Sequence, residues 1–194
     1  MAANPNFPKD LNIEPLNASK FASVQDDNFD AQAQQDAIQE YGIAGRVWEA
    51  AYPMILYINP PESWSFDPPS LLNDNPGSKH NWDRPPYSVL ELGSGTGVVA
   101  ACLAAVLRDG DLLIATDLPE VCPLLEKNLS KRTDAKARVA VRPLAWGTAQ
   151  HVQEIRQEFN PLGLTHIICL LPGTPRASSA ESYSSYVSRK LRFD

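Results

Sequence analysis

Residues 88–98 read Ser88-Val89-Leu90-Glu91-Leu92-Gly93-Ser94-Gly95-Thr96-Gly97-Val98, and the meaning of this stretch decides the fold. A short apolar run leads straight into three glycines in five residues, and a second apolar run, Val98 to Leu107, follows at once. Strand, tight turn and helix fit that order. Glycines belong in such a turn because the chain reverses sharply and its backbone must approach a ligand closely. The helix that follows presents unpaired N–H groups and a partial positive charge, suited to a dinucleotide pyrophosphate or to the carboxylate of an amino-acid moiety.

Spacing separates the two. A dinucleotide fingerprint, GxGxxG, starting at Gly93 would place its third glycine at position 98, where the chain has a branched valine. The motif is GxGxG, preceded by the acidic Glu91, which better suits S-adenosylmethionine (SAM), a cofactor without a pyrophosphate. Asp117 supports this. It lies twenty residues beyond Gly97 at the end of the apolar run Asp111 to Thr116, where a carboxylate can accept hydrogen bonds from both hydroxyls of an adenosine ribose. Its plainer role is to cap the next helix, with Pro119 in the first turn.

Outward from the loop, strand and helix patterns alternate. Glu120 to Lys131 suits an amphipathic helix, Ala137 to Val141 a third strand, Thr148 to Phe159 a helix, and His166 to Leu171 a fourth apolar strand. This spacing predicts βαβ units and a parallel sheet covered on both faces by right-handed crossovers. Upstream, residues 59–87 hold seven prolines and read as a long loop or insertion. Before them, a short helix fits Asp30 to Tyr41, and a second fits Arg46 to Ile58 with Pro53 as a kink or restart. Residues 1–29 are polar and read as a flexible arm; 30–171 is the domain, and 172–194 an irregular, disordered tail.

Composition limits the partners. The net charge of −6 over 194 residues gives no basic footprint, which argues against nucleic acid and anionic membrane as partners. The ten apolar residues from Val98 to Leu107 fall short of the roughly 20 that span a bilayer. Cys102, Cys122 and Cys169 lack CxxC spacing, and reduced thiols in a cytoplasmic or nuclear compartment fit them. His80, His151 and His166 are scattered, and a lone HxxC from His166 to Cys169 is a poor metal site, so no metal is expected.

Four pieces, Gly45-Arg46-Val47-Trp48-Glu49-Ala50-Ala51, Leu90 to Gly97, Thr116-Asp117-Leu118-Pro119-Glu120 and Leu144-Ala145-Trp146-Gly147, together resemble the seven-strand protein-lysine methyltransferases of the methyltransferase 16 family. The resemblance covers about residues 42–170. It implies an α/β, Rossmann-like SAM-dependent methyltransferase fold, three layers about a mainly parallel sheet. It further implies methyl transfer to a lysine side chain of a protein substrate. Trp48 then lies beside the cofactor, Gly93, Ser94, Gly95 and Gly97 form the loop around its methionine part, Asp117 holds the ribose and Trp146 lies next to the adenine. An aromatic face against adenine and an indole near a sulfonium are physically sound. Core packing is the plainer role for each tryptophan.

The resemblance breaks after the fourth strand. The family's Asp-x-x-Tyr segment, which borders the acceptor pocket, corresponds to Leu171-Pro172-Gly173-Thr174. The expectation is therefore of a C-terminally truncated member whose last strands are missing. No catalytic residue is assigned. Alternatives are a non-catalytic SAM-binding or interaction protein and a small-amine N-methyltransferase; the sequence leaves the target protein and the oligomeric state open.

Overall fold

The structure, a computed structural model, describes residues 7, 12–16, 27–70, 84–130, 135–159 and 163–170. In chain order these form α1 (Ala31–Tyr41), α2 (Ala51–Ile58), β1 (Ser88–Leu92), α3 (Val98–Val106), β2 (Leu112–Asp117), α4 (Cys122–Leu129), β3 (Arg138–Pro143), α5 (Ala149–Phe159) and β4 (His166–Cys169). All strand pairs are parallel and the order is β3-β2-β1-β4. The expected α/β class, with a parallel sheet between helices, is what is found.

Burial explains why the central strands read as continuous apolar runs. Every residue of β1 is buried, as are Leu113 to Thr116 of β2; strands covered on both faces show no polar alternation. Successive side chains point to opposite faces. Val89, Leu113 and Ala115 share one core with α2, α3 and α4. Leu90, Leu92 and Ile114 share the other with Ile155 of α5, and Phe159 packs against that cluster. The chain moves outward from β1 through β2 to β3, then returns past β1 to β4. The carboxyl ends of β1 and β4 therefore flank a topological switch point, where ligands bind in open parallel sheets.

An ion pair closes the opposite end of the sheet. Asp111, 2% exposed, receives both terminal nitrogens of Arg84 at 2.8 and 2.7 Å, and the N–H groups of Tyr87 and Arg108 at 2.8 Å each. The Arg84 guanidinium also stacks 3.6 Å from the Tyr87 ring centre. Burial pushes the Asp111 carboxyl up, but these donors outweigh it and hold it below the usual range.

Several boundaries differ from the sequence reading, each for a physical reason. The second helix starts at Ala51, not Arg46, and Pro53 sits in its first turn, where a missing N–H costs nothing. Residues 46–48 are extended or irregular, and the buried Val47 that suggested a helical face enters the main core from this stretch, which also lines a cleft. The fourth helix starts at Cys122, with Pro119 in the turn ahead and Pro123 at its start. Leu118, not the Asp117 side chain, supplies the carbonyl that accepts the Val121 and Cys122 N–H groups.

The arm expected over 1–29 also needs correction where it is described. Phe29 is 2% exposed in the main core, and Leu16 packs against the same core. The buried carboxamide of Gln34 and the guanidinium of Arg46 hold residues 14–16 down. Residues 59–70 run without helix or strand, Phe66 lying edge-on to Tyr57. Residues 71–83, with His80, and the segments Leu171–Thr174 and 172–194 lie outside the described residues.

Candidate cofactor-binding site

The glycine loop leaves β1 at the switch point and is held from three sides. Ser94 N–H donates to Thr116 O at 2.9 Å, Gly97 N–H to Ser94 O at 2.8 Å, and the buried Asn128 of α4 donates to Thr96 O at 2.8 Å. Asp117 completes the frame. One carboxylate oxygen accepts Gly95 N–H and the other Leu118 N–H, both at 2.7 Å. Each oxygen keeps a further lone pair for another donor.

An open cleft lies over this loop. Arg46, Val47 and Trp48 line one side; Glu91, Gly93, Ser94 and Gly95 line another; Leu170, just beyond β4, also lines it. Trp48 is fixed by its indole N–H, which donates to Ile43 O at 3.1 Å, and its ring carries the Arg46 guanidinium 4.7 Å from the ring centre. Arg46 in turn grips the Glu49 carboxylate with two nitrogens, at 2.6 and 2.9 Å. That contact holds Glu49 down to a pKa of about 2.

Two glycines of the loop have different reasons to be glycine. Gly93 has φ +69°, and a Cβ there would meet no heavy atom within 4 Å, so the cleft is open at that point. Gly97 has φ +83°, but a Cβ would sit 3.0 Å from Cδ2 of Leu125. It lies at the join of α3 and α4 and is not among the residues that line the cleft. Close packing against α4 gives this position its own reason to be glycine.

Of the other expected site residues, Trp48, Ser94 and Gly95 come together in the cleft. Asp117 stands behind the loop through Gly95. Trp146 is 68% exposed on the loop after β3 and not in the lining. Its loop is tethered by Ala145 N–H, which donates to Nδ1 of His151 at 3.0 Å. The core packing considered for Trp146 is not found. His166 packs edge-on against Tyr87, 4.6 Å between ring centres, and its Nδ1 lies 2.9 Å from Thr165 Oγ1.

Sequence reading left the two charged lining residues without a site role. Glu91 is 2% exposed, and its carboxylate accepts the Ser94 hydroxyl at 2.9 Å. Burial raises its pKa to about 7, opposed by the Ser94 hydrogen bond and reinforced by the Asp117 charge. Burial likewise raises Asp117, against the two N–H groups it accepts. The signal for Glu91 was a carboxylate inside an otherwise apolar strand. Arg46, the other, had no signal beyond its place in a motif.

The chain was compared with known proteins. The lysine methyltransferase family matches residues 25–160. Protein-lysine N-methyltransferase EFM6 of Saccharomyces cerevisiae is 30% identical over 126 residues, 63% of this chain and 45% of that protein. Protein-lysine methyltransferase METTL21E of Mus musculus is 42% identical over 64 residues, 32% of this chain and 25% of that protein; its Bos taurus counterpart is 42% identical over 64 residues, covering 32% and 21%. The chain thus spans less than half the length of these curated relatives. With the glycine loop at the switch point of a parallel sheet, and the family match running over most of the chain, this protein belongs to the lysine methyltransferase family.

Proposed function

We propose that the cleft binds S-adenosylmethionine and that the protein transfers its methyl group to a lysine side chain of a protein substrate. The observation that carries this reading is the frame Gly93–Asp117: an open-backed glycine beside a carboxylate with free lone pairs, at the end of adjacent strands. The donor set fits the cofactor. Gly93 leaves room for the methionine part, Trp48 offers an aromatic face to the sulfonium side, and Asp117 retains acceptor capacity for the ribose hydroxyls. Trp146, exposed on its tether, supplies a face for adenine stacking. SAM, when bound, supplies a methyl group activated by a positively charged sulfur.

The residues of this chain bind and orient. Ser94, Asn128 and Asp117 keep the loop rigid, so little loop ordering remains to be done when a ligand enters. Positioning an uncharged amine in line with the methyl is the main task of such a site, and geometry supplies most of the rate. The three free cysteines, Cys102, Cys122 and Cys169, support a cytoplasmic setting.

Isothermal titration with SAM and with NAD, followed by incubation with methyl-labelled SAM and a cell extract, tests the reading. The expected result is binding of SAM and not NAD, with label recovered on lysine. Binding of NAD alone refutes the cofactor assignment. SAM binding without transfer identifies a binder and refutes the enzymatic part.

A further inference from the structure

One buried amide ties a segment outside the family match to the wall of the cleft. Gln34, on α1, is 1% exposed. Its Oε1 accepts two backbone N–H groups at 3.0 Å each, from Leu16 and from Val47. Its Nε2 donates to Leu16 O at 3.0 Å and to Phe29 O at 2.9 Å. The carboxamide therefore pairs with both backbone groups of Leu16, as a neighbouring strand would, and shares one acceptor atom between Leu16 and a cleft-lining residue. Arg46, next to Val47 in the same wall, makes a second tie: its Nε donates to Glu14 O at 2.9 Å. The rest of its guanidinium holds Glu49 and Val47 O and lies over Trp48.

We propose that Gln34 is a positioning residue for the cleft and that Asn12–Leu16 is a strap through which it acts, strap docking and cleft filling each stabilising the other. The proposal rests on the reading of the cleft as a SAM site. If the strap lifts, Gln34 loses both Leu16 bonds while remaining buried, and a buried carboxamide left short of partners is costly. It must turn to find others, and turning it releases Val47 N–H. Arg46 loses the anchor that fixes its Nε, so its plane over Trp48 is left to Glu49 and Val47 O alone. Three consecutive wall residues, 46–48, thus depend on a segment that does not itself line the cleft. A ligand that holds the wall in place must, by linkage, hold the strap down to the same extent.

That reciprocity gives a test on the full, unaltered chain. Hydrogen exchange at the Leu16 amide is measured with and without saturating SAM, and SAM affinity is measured by titration for wild type, Leu16→Pro and Gln34→Leu. Leu16→Pro removes the N–H that Gln34 accepts at a part-buried position, so it keeps the test open should Gln34→Leu fail to fold. The expected result is slower exchange at Leu16 when SAM is bound, and an affinity loss of about fivefold or more in Leu16→Pro. A strap with only a structural role lowers melting temperature but does not respond to ligand. SAM binding that leaves Leu16 exchange unchanged, or wild-type affinity in Leu16→Pro, overturns the proposal alone. No SAM binding by the wild-type chain overturns the reading of the cleft and the proposal with it.

Discussion

Replacing Asp117 by asparagine separates the structural and the ligand-binding work of one carboxylate. In the free protein its two oxygens each accept an N–H at 2.7 Å, from Gly95 and Leu118. Asparagine keeps one acceptor and turns the other into a donor, so one of the two bonds is lost. Hydrogen bonds to a charged group contribute about 1.5–3 kcal/mol each. The loss is partly offset because burial already disfavours the charged carboxylate. A net destabilisation of about 1–2 kcal/mol follows, and at about 2–4 °C per kcal/mol for a chain of this size the midpoint falls by about 2–8 °C. The cofactor loses more. If both ribose hydroxyls donate to the remaining lone pairs, one of these bonds also disappears, and about 1.5–3 kcal/mol corresponds to a Kd about 10- to 150-fold weaker. Isothermal titration with SAM, well below both melting midpoints, measures this. A folded Asp117→Asn protein that binds SAM within threefold of wild type refutes the ribose role.

Glu91 predicts a pH effect of unusual sign. Its pKa is about 7 when folded against an ordinary 4.5, so the folded state holds the proton more tightly, and stability falls as pH rises from about 4.5 to 7 by up to about 3 kcal/mol. Glu91→Gln removes that slope; melting curves that shift in parallel with pH for both proteins contradict it. Within the loop, Gly97→Ala meets Leu125 at 3.0 Å in a left-handed conformation and lowers stability by about 1–3 kcal/mol. Gly93→Ala bears only the backbone strain, about 1 kcal/mol, but projects a methyl into the cleft; denaturation and SAM titration of the pair should rank them in opposite orders. Asp111→Ala leaves the part-buried guanidinium of Arg84 without its carboxylate and costs up to about 3 kcal/mol, read by urea unfolding; a loss below 1 kcal/mol shows the pair to be dispensable.

The central sheet was legible because its strands are buried on both faces, so Val89 to Leu92, broken only by Glu91, and Leu112 to Ala115 appear as apolar runs bounded by a glycine turn and by Thr116-Asp117. The loop was legible for the same reason: glycines at fixed spacing after a buried strand leave few alternatives. What failed was the assumption that apolar periodicity means a helix. Val47 is buried in the main core from an irregular stretch that also walls the cleft, and its spacing from Ala51 matched a helical face by coincidence. The docking of residues 12–16 left no trace, since one glutamine in an Ala/Gln-rich helix looks like any other until its four partners are seen. Gly97 carried an ambiguous signal, because a glycine demanded by a neighbouring helix and one demanded by a ligand are spelled alike.

The position of β1 sets the order in which this protein becomes itself. Its partner β2 begins 24 residues downstream, but its other partner, β4, is reached only after the chain has made β2, β3 and their helices; Ser88 and Thr165, which exchange hydrogen bonds at the start of that pair, are 77 residues apart. Pairing of such separation is slow, because loop closure must precede any contact that rewards it. On the ribosome, the glycine loop emerges early, with one flank of its crevice still unmade. The Leu90–Leu92 face of the strand waits, uncovered, for Ile155 and Ile167, and an exposed parallel strand is a hazard in a half-made chain. The crevice at the switch point gains its β4 flank, and with it Leu170, only when that distant pairing is made.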